Sequence, residues 1–552
     1  MNGLKKNKAY VPVLVFFLGI LILLPSIWSE TSITGKDEYW LSLRTPMEML
    51  ERDSRLTPYV NGEPRLKKPP LLYWGILTNY KAFGIGLAGA RIWGVLAGAG
   101  LALCTALFSR RLFGRSGLLA ALITLSTIAV AVEGRRAMLD LPMATLVCFA
   151  VYFALRWGET GRWVWILTSA FSLGLSTMVK GPIGLLFFVT AALTALWVFG
   201  KWRFALKHWP QLLAAAGLFL LICLPWPLTM ARMWPEFLGT VGREMGAERF
   251  GRIFIGSPFS ALGGALGLVF PWSIVTVAAM TGVFRNRGRG MGNRALWLAL
   301  WCFVGVAPFF FFRSFARYMV PLVPCVCVLC AEWLERAQGP WKGRIVRITA
   351  MLFGVAAAAA ACFALWFRIS PVFGWLSLLI AAIMIRLAFT GKRVEATAAF
   401  AAALFTCLMG GLYPSLGIGY MPSDIGDIAG NFPTAVYKTT QPSMLSVRLK
   451  RSVIQLWPET LKDAFQVKRF DGIVFMMERE AGGFEQVAEG LGVRHRRMGD
   501  FKTFYSRRTW VRFASEEASA GAWKAAFRMR SLEPLKVRMC YYRASPGEPP
   551  HE

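Results

Sequence analysis

Histidine is nearly missing from this chain. Only three occur in 552 residues (His208, His495 and His551), which argues against a histidine-built metal centre or acid–base relay. Acidic residues are also scarce, 31 against 62 Lys and Arg, for a net charge of +31. Of ten cysteines, nine (Cys104, Cys148, Cys223, Cys302, Cys325, Cys327, Cys330, Cys362 and Cys407) lie in apolar runs and only Cys540 lies outside them. No disulfide framework is implied. Cys325, Cys327 and Cys330 have ligand-like spacing, but their setting inside an apolar helix favours packing. No internal repeat is visible.

What the chain has in quantity is apolar surface. It is 55% hydrophobic, has 22 Trp and a mean hydropathy of +0.47, which excludes an ordinary soluble domain. Runs of about 17–22 apolar residues, long enough to cross a bilayer as helices, fall near 9–28, 88–108, 116–132, 141–157, 163–179, 182–199, 211–230, 259–283, 295–312, 318–334, 347–367, 371–389 and 395–416. Thirteen spans are thus expected. The first reads as a membrane anchor and not as a cleavable signal, because it has no convincing cleavage site and further spans follow.

The basic excess follows topology. Lys5, Lys6 and Lys8, then Arg110, Arg111 and Arg115, Lys201, Arg203 and Lys207, Arg285 to Arg294, Lys342 to Arg347, and Lys392 with Arg393 all fall on one side. The positive-inside rule makes that side cytoplasmic. Nucleic acid is therefore not an expected partner. The N-terminus is inside, and an odd span count puts the C-terminal tail outside. Against this rule stand Arg135, Arg136, Lys180, Arg232, Arg243, Arg249, Arg252, Arg313 and Arg317 on the outer side. Singly, each is open to headgroup snorkelling or pairing with acids such as Glu244 and Glu248. Together they suit an anionic phosphate at the outer face.

Residues 1–416 form the expected membrane domain, with an outer loop from about 29 to 87. In that loop Asp37 to Leu50 is amphipathic and Leu71 to Phe83 is apolar and aromatic. Gly84 to Gly89 spells GxGxxG, but it opens a membrane helix and lacks the βαβ context of a dinucleotide site. From 417 to 552 the composition turns polar: Phe470 to Met477 reads as a buried strand, Gly483 to Leu491 as a short helix, and Phe501 to Phe513 as paired strands. A small outer α/β domain is expected.

The chemistry centres on the outer loop. Asp37 and Glu38 precede Lys67-Lys68-Pro69-Pro70, where the prolines stiffen the chain and give Lys68 a defined direction. An acidic pair in a loop is usually a solvated surface feature, and only the neighbouring basic segment raises it to a candidate site. Glu133 to Asp140 is a second station, where Asp140 either caps the following helix or takes part in chemistry. Further along come Lys180-Gly181-Pro182 and Arg317-Tyr318-Met319-Val320-Pro321-Leu322.

The segment from Asn61 to Trp74 resembles the "NGEP…KPPLLYW" run in the first outer loop of the ArnT-like, lipid-linked-sugar glycosyltransferases, a GT-C-fold branch of the protein mannosyltransferase superfamily. The KGP turn at Lys180 and the RYxxPL run at Arg317 are similar to further family motifs. The resemblance implies a polytopic α-helical GT-C membrane protein in a bacterial inner membrane, with a periplasmic C-terminal α/β domain. It implies inverting transfer of a sugar from a polyprenyl-phosphate carrier to an envelope acceptor such as lipid A, another glycan or a protein. Asp37, Glu38 and Asp140 are then the candidate catalytic carboxylates. Lys68, Arg136, Lys180, Arg249, Arg317 and Tyr318 are the candidate phosphate and substrate contacts. No cofactor is expected. Some family members hold a metal through a Glu before the "KPP" lysine and a His in a later loop; here Lys67 and the His-free Met245 to Phe250 stand at those places. A transporter, or a lipid-linked polysaccharide polymerase or ligase, stays open as the alternative. Transporters, however, are expected to carry ionisable residues within the membrane.

Overall fold

In a computed structural model, the described residues are 10–30, 38–115, 117–245, 257–285, 292–311, 315–336, 340–390, 393–438, 443–504 and 518–547. The protein is a polytopic helical bundle to about residue 415, followed by a mixed α/β unit. Among the described residues, eight helices are long and apolar enough to cross a membrane, or nine if one bent pair counts as a single span. They include α4 (Leu87–Phe113) and α7 (Asp140–Thr160), which are numbered after α1 (Val11–Leu23), α2 (Arg44–Glu51), α3 (Leu71–Phe83), α5 (Leu118–Leu125) and α6 (Ile128–Glu133). Next come α8 (Trp163–Lys180), α9 (Ile183–Phe199), α10 (Trp209–Cys223) and α11 (Pro225–Met233).

Two of the expected spans are broken, and each break supports the other. Residues 116–132 split into α5 and α6 at Ser126–Thr127, whose hydroxyls bond back to the carbonyls of Leu122 and Thr124. Thr127 then caps α6 by accepting from the Val130 amide at 3.4 Å. The expected span 259–283 is bent by 110° between α12 (Ser257–Leu268) and α13 (Ser273–Arg285). At the two breaks the Ile128 amide donates to the Phe270 carbonyl at 2.9 Å, and the Trp272 indole donates to Ser126 Oγ at 2.9 Å. Polar groups freed at membrane depth thus find partners within the protein, as a medium without water requires.

The chain continues through α14 (Gly292–Val306), a 3₁₀ segment over Ala316–Leu322, α15 (Val323–Arg336), α16 (Pro340–Trp366), α17 (Pro371–Thr390) and α18 (Val394–Cys407). Cys325, Cys327 and Cys330 are all buried in α15, and Cys330 Sγ lies 3.4 Å from Thr276 Oγ1. Gly84 ends α3 and Gly86 precedes α4, so the GxGxxG run joins two helices and no strand leads into it.

The outer loop folds as its pattern predicts. A π-helical turn over Glu38–Leu43 runs into α2, and α3 covers Leu71–Phe83. Between them, the short strands β1 (Tyr59–Val60) and β2 (Glu63–Pro64) form a hairpin. Its turn residues Asn61 and Gly62 have φ of 57° and 81°, the left-handed pair that Asn-Gly adopts readily. The buried Glu48 carboxylate accepts from both turn amides, at 2.8 and 2.9 Å.

After the bundle, five strands pair in the order β4-β3-β5-β7-β6. β3 (Thr434–Tyr437) is parallel to both β4 (Ile454–Leu456) and β5 (Gly472–Met477), while β7 (Val537–Ser545) is antiparallel to both β5 and β6 (Arg494–Thr503). All six residues of β5 are buried, in keeping with the continuous apolar run, and α19 (Glu478–Gly490) follows it. Of the paired strands expected over Phe501–Phe513, β6 ends at Thr503 and residues 505–513 lie outside the described segments. This unit grips the outer loop. Ser452 donates its amide and hydroxyl to Glu51, each at 2.6 Å, and Arg448 pairs with Glu30 at 3.1 Å. Burial raises the Glu30 carboxyl pKa, and Arg448 pulls it back down.

Candidate active site

The loop before α3 is pinned so that Lys68 has little choice of position. Leu66 is buried beside Met178, Trp226 and Phe237. The Trp226 indole donates to the Leu56 carbonyl at 3.0 Å, and the Trp74 indole to the Arg55 carbonyl at 2.6 Å. Pro70 then caps α3. Lys67 and Lys68 therefore line a cavity of about 200 Å³ together with Lys180, Gly181, Pro182 and Tyr318.

Lys180 is the last residue of α8, where the negative end of the helix dipole favours a cation. Gly181 follows with φ of 88°, a left-handed conformation that suits glycine and turns the chain sharply into α9. The Lys180 ammonium pairs with Asp140 and sits 3.9 Å from the centroid of the Tyr318 ring. Arg317 Nε approaches the other oxygen of Asp140 at 3.5 Å. Asp140 and Lys180 are only 2% and 8% exposed, so these charges attract more strongly than they would in water. Asp140 is the first residue of α7, and its carboxylate is engaged by Lys180 and Arg317, ion pairing that was neither of the two roles open from sequence. Lys68 and Arg317 are both close enough to Lys180 to act on it as like charges.

A second charged group lies alongside. Arg136 donates to Glu133 at 2.9 Å and comes within 3.9 Å of Glu38. Glu38 is fully buried; it accepts from Arg91 Nε at 2.8 Å and from the Ala137 amide at 2.9 Å. Arg91 in turn donates to the carbonyls of Ile27 and Ser29, at 3.1 and 2.8 Å. Glu38 and Arg91 thereby tie the segment after α1, α4 and the Arg136 loop into one joint. Glu133 is within electrostatic reach of Arg136, Asp140, Arg317 and Glu38, which links the two groups. The loop lies directly on α4: at Gly94 a Cβ would stand 2.4 Å from the Arg136 carbonyl.

Of the nine residues singled out from sequence, Lys68, Asp140, Lys180, Arg317 and Tyr318 come together, with Glu38 and Arg136 in the adjoining joint. Asp37 and Arg249 lie outside the described residues. Arg135, one of the unexpected outer cations, donates instead to the carbonyls of Ala131 and Ile22, the latter at 2.5 Å. It is a tie between helices. Arg91 was not anticipated, and Glu133 only as the start of the stretch that ends at Asp140. The signal for Arg91 was its position as the single charge in the run 88–108. Among the described residues, no group of three or more His, Cys, Asp or Glu is placed to hold a metal ion.

Several helices thus converge on a cavity lined by lysines and walled by a proline-stiffened loop, in a chain whose class is that of polytopic helical membrane proteins. Within that class it is ArnT-like. It superposes on crystal structures of ArnT from Cupriavidus metallidurans with a TM-score of 0.69 in the apo state and 0.68 in the form bound to undecaprenyl phosphate. These likenesses cover 98% and 96% of this chain and 98% of the other, at 17% and 16% identity, and they bear on the fold. Residues 67–227 match the family described as dolichyl-phosphate-mannose-protein mannosyltransferase. The chain is 28% identical over 291 residues to the undecaprenyl phosphate-alpha-4-amino-4-deoxy-L-arabinose arabinosyl transferase of Pseudomonas aeruginosa, covering 50% of each. It is 30% identical over 177 residues to an uncharacterized protein of Aquifex aeolicus, covering 30% of this chain and 34% of that one. The matches thus span from a third to half of the curated relatives' length.

Proposed function

We propose that the protein is an integral-membrane glycosyltransferase that moves a sugar from a polyprenyl-phosphate carrier to an envelope acceptor on the periplasmic face of a bacterial inner membrane. In this reading the N-terminus is cytoplasmic and the C-terminal α/β domain is periplasmic. The observation that carries it is the buried cluster in which Asp140 holds Lys180 and Arg317 beside a cavity also lined by Lys68.

The acceptor oxygen attacks the anomeric carbon as the carbon–oxygen bond to the carrier phosphate breaks. The electron pair leaves with the phosphate, and the anomeric centre inverts. Charge grows on the phosphate oxygens, where Lys180, Arg317 and Lys68 stabilise it from fixed positions. Asp140 keeps two of those cations in place without needing to touch the sugar. Asp37 takes the proton of an acceptor hydroxyl or orients it, and Glu38 and Arg136 position the segment that carries Asp37. The reading includes no cofactor and no metal. Lipid A is one acceptor of the right class and place; another glycan or a protein is equally compatible with the site.

The test is mass spectrometry of envelope lipids, polysaccharides and proteins from a deletion strain, restored with wild type, Asp37→Asn or Lys180→Ala. A sugar mass that disappears on deletion and returns only with wild type is expected, with transfer by Lys180→Ala reduced roughly 10²–10³-fold. Full restoration by both variants would remove the catalytic assignment. An unchanged glycan profile on deletion would overturn the transferase reading itself.

A further inference from the structure

A second and larger cavity, about 630 Å³, lies among α7, α8, α9, α10 and α14 toward the opposite end of the bundle from Lys180. Its walls are apolar, including Leu173, Phe188 and Ala192, and the exposed Val189 and Leu212 leave it open sideways to the membrane. Its mouth is charged. Arg111, Lys201 and Arg294 line it, with Glu159 as the one carboxylate. Arg111 already holds Glu159, at 2.7 Å, and Arg294 reaches the Leu112 carbonyl at 2.6 Å with one of its nitrogens. Cations therefore outnumber acids where the groove meets the headgroup layer. From Leu185 to Phe199 the wall runs about 21 Å at 1.5 Å per residue, enough for an acyl chain crossing half of a ~30 Å hydrocarbon layer.

We propose that this groove is a binding site for an anionic phospholipid of the cytoplasmic leaflet, with its acyl chain against α9 and its phosphate among Lys201, Arg294 and Arg111. Basic pockets between membrane helices on the cytoplasmic side take anionic headgroups in this way. The charge at the mouth selects this occupant over the uncharged far end of an isoprenoid tail, which places no demand on cations. The inference stands apart from the transferase reading and needs no catalysis.

Native mass spectrometry of the full chain in detergent tests it, with phosphatidylglycerol, phosphatidylcholine of the same chains and undecaprenyl phosphate added in separate titrations. Phosphatidylglycerol is expected to bind preferentially, and Lys201→Gln with Arg294→Gln to weaken it roughly 30-fold while phosphatidylcholine is unaffected. Ala192→Trp, which fills the groove and leaves the cations intact, is expected to reduce the same adduct. Equal binding of the two phospholipids overturns the proposal. So does an adduct of undecaprenyl phosphate alone that Ala192→Trp removes, which would give the groove to the carrier tail.

Discussion

The two ends of the helical bundle use the same residue types in opposite ways. At the outer end, Arg91, Arg136 and Lys180 are buried, and each faces a carboxylate on another element or one turn away. At the opposite end, Arg111, Lys201 and Arg294 are exposed. Exposed lysines and arginines at a membrane face cost little and set orientation. Buried ones are costly unless paired, and losing one partner leaves the other stranded. The difference separates charge that orients the chain from charge that builds a site.

The sharpest way to break this comparison is at Asp140. Asp140→Asn should lower sugar transfer about 100-fold by releasing Lys180 and Arg317 from their shared partner, measured with purified protein and a polyprenyl-phosphate sugar. Transfer at the wild-type rate would show that the pairing does not matter to the reaction. Glu38→Gln should act on folding, costing about 3–5 kcal/mol as Arg91 is left buried without its partner. Adding Arg91→Met should recover part of that loss in thermal unfolding, and a double variant no better than the single would count against the joint. Gly94→Ala, which forces a methyl group against the Arg136 carbonyl, should cost about 1–3 kcal/mol by the same assay. At the inner end Arg203→Gln should change transfer by less than about twofold, as a surface substitution does; a large loss would blur the contrast. Smallest of all is the effect at Cys540, remote from both ends. Burial, reinforced by Glu478, pushes its thiol up to about 12, so it stays protonated at pH 8. Peptide mapping after maleimide treatment of the folded protein should find Cys540 unlabelled, with labelling appearing on denaturation.

Much of this architecture was legible in the residues. Leu71 to Phe83 read as one apolar element and is one helix, and the run at Phe470 to Met477 became the central buried strand, because composition alone sets those boundaries. Span integrity was not legible. Ser126-Thr127 looks like any mild polar interruption, and only the indole of Trp272 and the carbonyl of Phe270 arriving from elsewhere make a break there stable. Within the candidate site, Lys180 and Arg317 could be picked out as cations on the wrong side for topology, and Lys68 by the prolines that follow it. Their shared dependence on Asp140 could not, since Asp140 at a helix start had a local explanation of its own. Arg91 is one charge near the end of an apolar run, a pattern that snorkelling also produces. Its partner stands 53 positions earlier in the chain, and proximity of that kind leaves no local mark.

The bond from Ser452 to Glu51 joins residues 401 positions apart. The ribosome therefore finishes nearly the whole bundle, including Lys68, Asp140 and Lys180, before the residue that clasps α2 exists. A chain halted between the end of the bundle and Ser452 has every charged group of the cavity but an unfastened loop beside it. Fastening waits on the last domain being made and folding, so assembly of this protein carries its own order of completion.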